Sequence, residues 1–279
     1  MNSEYLNWIP ENKSGIILFL GFFVLYGLEI IIPLVPKKSR HYLSNFSLAF
    51  ILVIVNFLFA SMTWFVARWV NQNGYGLFNH ISVDPKLLVL ISIIFLDLWA
   101  GYFVHCMFHK FSWLWKFHSI HHSDDLVDVT TTFRQHPVET LIRIFFHLTG
   151  LLILGIPAWM LLTYLTVSTV IAQFEHANIR LPANLDRWLQ YVIVTPHMHK
   201  VHHSRYRQET DSNYSNIFSF WDRIFRTYRV RRNYSTIQYG LDSVQENVHY
   251  SPLELLKSPF KVSRAKIRNS ILSIKKRKA

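Results

Sequence analysis

The sequence predicts an all-α, polytopic membrane helical protein, and three observations carry that prediction. Apolar residues make up 51% of the 279-residue chain, and they gather in long uncharged runs instead of periodic stripes. Basic residues collect at the ends of those runs and near the C-terminus, giving a formal charge of +12. Gly74, Gly76 and Pro85 mark a break between two runs, and Gly155 and Pro157 a break near the middle of the longest.

The first run, residues 15–35, has 21 residues with Glu29 as its only charge. That length crosses a hydrocarbon core of ~30 Å at about 1.5 Å per residue. The second, 46–66, is uncharged and closes at Arg68. A polar stretch from Asn71 to Lys86 follows, interrupted by Gly74, Gly76 and Pro85. The third run, 87–107, contains only Asp97 and leads directly into histidines. A fourth region, 144–174, has 31 residues, more than one crossing needs, with Gly155-Ile156-Pro157 near its middle. Proline lacks the helix N–H and crowds the preceding turn, so this region reads as two helices meeting in a hairpin.

The positive-inside rule puts Lys37, Lys38 and Arg40 in the cytoplasm, and with them the histidine-bearing end of the third run. The N-terminus and the 71–86 loop then lie outside. The first residues lack the basic n-region of a signal peptide, so the first run is expected to stay in the protein. Beyond residue 181 no run is long enough to span. Segments 185–194 and 217–228 carry Trp188, Tyr191, Phe220, Trp221 and Tyr228, which suits helices at headgroup level or over a site. From Pro252 the tail has nine Lys and Arg against one Glu, interleaved with Val262, Ile267, Ile271 and Ile274. It reads either as an interfacial amphipathic helix or as a frayed basic tail.

A basic excess at these places implies contact with anionic lipid and not nucleic acid. The single cysteine, Cys106, excludes an intrachain disulfide and any CxxC motif. The nine glycines form no GxGxxG or GxxxxGK[ST] loop, so any reducing equivalents come from outside this chain.

The chain has fifteen histidines, and their spacing is the strongest signal in it. His105 and His109 are i,i+4 on one helix face; His118, His121 and His122 form HxxHH, and His199, His202 and His203 repeat it. Each box presents two or three imidazoles to a common point, and imidazole suits Fe, Zn, Cu and Ni. Eight boxed histidines exceed the four to six donors of one ion, which implies two. A ferritin-like carboxylate-bridged site needs two ExxH pairs, and the single one here, Glu246 to His249, stands apart from the boxes, which argues against such a site. The predicted fold is therefore a membrane helical protein with a cytoplasmic helical cap carrying a histidine-rich dimetal site.

With these residues assembled, the stretch from Asp97 to Tyr228 resembles the fatty acid hydroxylase and sterol desaturase superfamily. That family's order of HxxxH, HxxHH and HxxHH reads here as His105-Cys106-Met107-Phe108-His109, His118-Ser119-Ile120-His121-His122 and His199-Lys200-Val201-His202-His203. Neighbouring motifs agree: Trp115 before the second box, Arg134-Gln135-His136-Pro137, Glu175-His176-Ala177-Asn178, Asn213-Tyr214 and Trp221-Asp222-Arg223. The resemblance implies a non-haem di-iron enzyme that uses O2 to hydroxylate or desaturate a lipid of the sterol, fatty acyl or ether-lipid class. It implies the eight boxed histidines plus His176 as metal ligands, and His136 as a ligand or a support to one. It also implies two electrons per turnover from a cytochrome b5-like or ferredoxin-like donor, for which a basic cytoplasmic surface is suited. On this reading residues 1–86 form an N-terminal transmembrane region, 87–230 the catalytic domain with a membrane hairpin near 144–174, and 231–279 a basic tail. The membrane is the inner one in a bacterium or the endoplasmic reticulum in a eukaryote.

Three departures from the family pattern bear on subfamily: Cys106 where arginine is frequent, Ser215 after Asn-Tyr where glycine is frequent, and Arg226 in place of the glycine of Trp-Asp-Arg-x-Phe-Gly. Asp97, an intramembrane carboxylate two turns before His105, is expected to orient an imidazole N–H or to meet a metal. His197 is read as exposed or supporting, and Asp124, Asp125 and Asp128 as supporting residues or a solvated loop. His41, His80, His147 and His249 stand alone and are read as structural, and Cys106 as a packing residue. Two rival classes share the histidines: a membrane zinc hydrolase, disfavoured by the lack of an HExxH-type general base, and a metal transporter or store, disfavoured because the histidines cluster beyond the helix ends.

Overall fold

The structure, a computed structural model, describes residues 11–36, 41–82, 84–241 and 251–261. Lys37, Lys38, Arg40, His249 and the tail from residue 262 lie outside the described residues. The described chain is mainly helical, and among the described residues its β pairing is two isolated bridges, Pro33 with Ile179 and Ile193 with Phe218. Among the described residues, four helices are long and apolar enough to cross a membrane.

Helix α1 spans Glu11–Ile31, and the chain leaves it before Pro33, where Leu34 N–H donates to the Asn178 carbonyl at 3.0 Å. Helix α2 covers Tyr42–Asn73, a turn or more beyond its apolar run at each end. Its buried residues are Ser44, Asn45, Leu48, Ala67 and Val70, while Phe57 is 79% exposed. A helix that buries its small and polar residues and exposes its large apolar ones is built for lipid. It stops at Gly74, whose φ of 60° is the left-handed cap glycine takes without strain.

Helix α3, Pro85–Lys110, starts at Asp84, which accepts from Lys86 N–H at 2.9 Å with Pro85 in the first turn. A π-helical stretch over Asp97–Phe103 shifts its register just before the first histidines. After Phe111 breaks the helix, α4 runs Ser112–His122. Helices α5, Pro137–Leu154, and α6, Ala158–His176, turn back on each other at Gly155-Ile156-Pro157. The return helix is more polar, and Thr163, Thr166 and Thr169 satisfy their hydroxyls on the carbonyls four residues back. Short helices α7, Ala183–Leu189, α8, Pro196–His202, and α9, Phe220–Ile224, complete the cap.

The hairpin tip meets the loop between α2 and α3. A Cβ at Gly76 would run into the Gly155 backbone, and Asn79 Nδ2 donates to the Gly155 carbonyl at 3.2 Å. Both hairpin limbs therefore begin and end at the opposite end of the bundle, beside the C-terminal end of α3. Around this turn Ala67, Val70, Leu96, Leu151, Leu154, Met160 and Tyr164 form one apolar core.

Two charged contacts tie the membrane helices to the cap. Glu29 Oε1 accepts from Val129 and Asn178 N–H, each at 2.7 Å, so the lone charge of the first apolar run caps two loops. His41 does not stand alone: its Nδ1 lies 2.7 Å from Asp124 Oδ1 and its Nε2 3.1 Å from Asp128 Oδ2. Asn45 donates to Asp124 at 3.1 Å, and Arg134, wholly buried, donates to Asn45, Ser44 and Ser123. Burial alone would lower the His41 pKa, but the charges and hydrogen bonds of Asp124 and Asp128 outweigh it and raise it to about 10. Asp124 and Asp128 are thus members of a buried network and not a solvated loop.

Candidate metal centre

Local helix geometry limits which imidazoles of one box can meet, and the docking of the helices decides the rest. Residues i and i+4 share a face, whereas i+3 is offset from it. The structure divides the nine predicted histidines accordingly. His105, His109, His118, His122 and His202 bring one ring nitrogen each within 4.8 Å of one another, and so do His121, His176, His199 and His203; all are buried. Each HxxHH thus sends its i and i+4 members to one cluster and its i+3 member across to the other. His121 crosses from the second box, and His202 crosses from the third.

In the first cluster His105 Nε2 and His122 Nε2 lie 3.1 and 3.2 Å from His118 Nε2. In the second, His176 Nε2 lies 3.0 Å from both His121 Nε2 and His199 Nε2, and 3.2 Å from His203 Nε2. Such separations match neighbouring donors that share one ion with metal–nitrogen bonds of about 2.1 Å. Nε2 of His109 and of His202 is buried without a protein partner, as a metal-facing lone pair is. Burial first, and then neighbouring imidazoles, hold His118, His121, His122, His199 and His203 well below the ordinary imidazole range; His202 is lowered by burial and His109. The rings stay neutral with their lone pairs available. The residues present fit two nitrogen-ligated ions.

The far sides of the rings are held differently in the two clusters. His105 Nδ1 donates to the Tyr214 carbonyl at 2.8 Å and His202 Nδ1 to the Ser212 carbonyl at 2.7 Å. His118 Nδ1 faces both Glu139 oxygens at 3.1 Å, and His109 Nδ1 lies 3.4 Å from Asp211 Oδ1. These contacts select the tautomer that turns Nε2 inward. In the second cluster His176 Nδ1 donates to the Ala172 carbonyl at 2.7 Å, while Nδ1 of His199 and of His203 finds no acceptor.

Two expectations are corrected. Asp97 orients no imidazole: its carboxylate accepts from Ile217 N–H at 3.0 Å, Phe218 N–H at 3.1 Å and Trp221 Nε1 at 3.0 Å, which uses it up in fastening the cap to α3. His136 stands outside both clusters, its Nδ1 accepting from Val138 N–H at 3.1 Å to cap α5 and its Nε2 3.2 Å from the Leu256 carbonyl. His197 is buried, not exposed, 3.0 Å from Asp186 and stacked on Tyr234. Sequence reasoning missed Glu139, Asp211 and Glu175. Glu139 and Glu175 lie just outside the ends of the 144–174 run, where the rule that flags intramembrane carboxylates was not applied.

Residues 89–227 match the family model described as fatty acid hydroxylase. This stretch is a fatty acid hydroxylase domain. Enzymes of this family are iron-dependent oxygenases. The chain is 29% identical over 140 residues to an ornithine lipid hydroxylase of Rhizobium tropici, covering 50% of this chain and 41% of the relative. It is 27% identical over 180 residues to the alkylglycerol monooxygenase of Homo sapiens, covering 64% and 38%. To the human cholesterol 25-hydroxylase it is 27% identical over 156 residues, covering 52% and 54%. In each case the match spans less than two thirds of the relative's length. No solved structure matches the chain significantly.

Proposed function

We propose that the chain is a membrane-bound non-haem di-iron oxidoreductase that uses O2 to hydroxylate or desaturate a lipid. The observation that carries this reading is the division of nine buried histidines into two converging sets at the membrane end of a fatty acid hydroxylase domain. His105, His109, His118, His122 and His202 hold one iron; His121, His176, His199 and His203 hold the other. Bound there, the iron pair supplies the oxidising power that no side chain has for an unactivated C–H bond. The chain's own residues do the rest. Glu139, Asp211 and the Tyr214 and Ser212 carbonyls fix the rings, and burial keeps bulk water from the site.

Hydroxylation consumes O2, two electrons and two protons, placing one oxygen atom in the product and one in water. Desaturation with the same inputs releases two waters. The electrons come from a cytochrome b5-like or ferredoxin-like donor. Exposed Lys110, Lys116 and Arg207 beside the first cluster's histidines and Asp211 present a basic face for an acidic partner. The basic residues at this end, against a 71–86 loop with Lys86 alone, favour the cytoplasmic side. In this reading residues 87–230 carry the chemistry and 1–86 anchor it.

The test is metal content together with oxygen labelling. The purified protein should carry close to two irons per chain, and lipids extracted from cells expressing it under labelled O2 should gain one labelled oxygen or lose two hydrogens. A reproducible single zinc, with no change in any lipid, would overturn the reading and favour a hydrolase.

A further inference from the structure

Both ions of the proposed centre sit among neutral imidazoles in a buried site, and an ion transferred from water into such a place needs counter-charge. The first cluster has it behind its rings, at Glu139 and Asp211. Behind His199 and His203 of the second there is nothing, since their Nδ1 atoms meet no acceptor. A carboxylate stands instead in front. Glu175, on the last turn of α6, is 3% exposed, with Oε1 3.6 Å from His199 Nε2, the nitrogen that faces the cluster, and 3.7 Å from His176 Nδ1. Its Oε2 is buried and has no hydrogen-bond partner.

A buried carboxylate oxygen without a donor is a costly arrangement, and in a native site it calls for a cation. Arg143 is not that cation: it bonds Glu139 at 3.0 Å. Lys200, a fully buried base, directs Nζ to the Val127 and His176 carbonyls at 2.9 and 3.1 Å. The second cluster, one histidine short of the first, has a face for one more partner.

We propose that Glu175 is the anionic partner of the ion in the second cluster, supplying from the front the charge that Glu139 and Asp211 supply to the first cluster from behind. The proposal rests on the two-ion reading above. It gives the second ion a fifth, acidic partner beside its four histidines, the tenth of the whole centre, and makes the two ions chemically unequal.

The test uses the full chain, stripped of metal in detergent and titrated with Co2+, followed by absorption spectra and by metal analysis. Wild type should take up two equivalents. Glu175→Gln, which removes the charge and keeps the shape, should weaken the second equivalent at least tenfold and change its absorption bands, leaving the first as it was. Glu175→Asp, which keeps the charge, should restore most of the loss. The melting temperature of the metal-free protein separates a merely structural role: Glu175→Gln should leave it unchanged or raise it, because no protein hydrogen bond to the buried Oε2 is there to be lost. Two equivalents bound by Glu175→Gln with wild-type affinity and spectrum would overturn the proposal while leaving the two-ion reading intact. A wild type that binds one equivalent only would overturn the two-ion reading and this proposal with it.

Discussion

The two histidine clusters use the same side chain and the same HxxHH spacing, yet they are supported unequally. Four of the five rings in the first are fixed through Nδ1, two by carboxylates and two by carbonyls. In the second, His176 is fixed by a carbonyl, and His199 and His203 rely on the rigidity of α8 alone. The difference teaches that spacing decides where an imidazole can reach, whereas its environment decides how firmly it is held and how its charge is balanced. The first site is preorganised and should fill first; the second should be the weaker.

The largest expected effect tests the crossing. His121 belongs by sequence to the second box but by position to the cluster built mainly by the third. His121→Ala should lower metal content from near two ions to near one and cut activity more than ~100-fold, as should His202→Ala. The sharper result is in pairs. His121→Ala combined with His199→Ala should still leave one ion, since both ligate the same one; loss of both ions would break the assignment.

The next effect concerns the ends of the two boxes. The second is followed by the buried His41, Asp124, Asp128 and Arg134 network, the third by a turn closed through Thr210 and Ser204. Removing one member of a buried ion pair costs about 3 kcal/mol or more. His41→Asn should therefore lower the melting temperature markedly at pH 7. The sign with pH follows from a folded-state pKa of about 10 against an ordinary value of 6.5. The stabilisation is complete below 6.5 and falls away as pH rises toward 10, so the gap between wild type and variant should narrow between pH 7 and 10. An unchanged gap would show that the imidazole acts by packing.

Smaller effects probe the supports. Glu139→Gln removes the carboxylate behind His118 and should weaken the first ion about tenfold, measured by chelator competition. Asp211→Asn should do less, because Asp211 is 38% exposed and its contact to His109 is 3.4 Å. The smallest is Arg226→Gly: Arg226 has φ 60°, a conformation that costs a side chain about 1 kcal/mol, so the variant should melt slightly higher. That strain explains why the family pattern has glycine where this chain has arginine.

Much of this was legible in the sequence because it is local. Apolar runs, a proline in the middle of the longest, and histidines at i, i+3 and i+4 point to the spans, the hairpin turn and eight of the nine clustered rings from short-range rules, while His176 came from the family resemblance. What was hidden depends on contacts between distant segments. His41 meets Asp124 across 83 residues, His109 meets Asp211 across 102 and Asp97 meets Trp221 across 124. No spacing encodes such partners. Asp97 was flagged for the right physical reason, a carboxylate in a membrane helix, but backbone N–H groups of the cap claimed it. The boxes could be read; which histidine serves which cluster could not, because the answer lies in how α4 docks against α8.

That crossing has a consequence for how the protein is made. Neither box alone surrounds an ion, and each cluster borrows a ring from the other, so a chain emerging from the ribosome has no complete metal site until His203 is out and α8 has docked. Metal capture should therefore wait for the third box, and a chain truncated anywhere before it should bind nothing. A pulse-labelled nascent protein should acquire metal only after the third box has emerged.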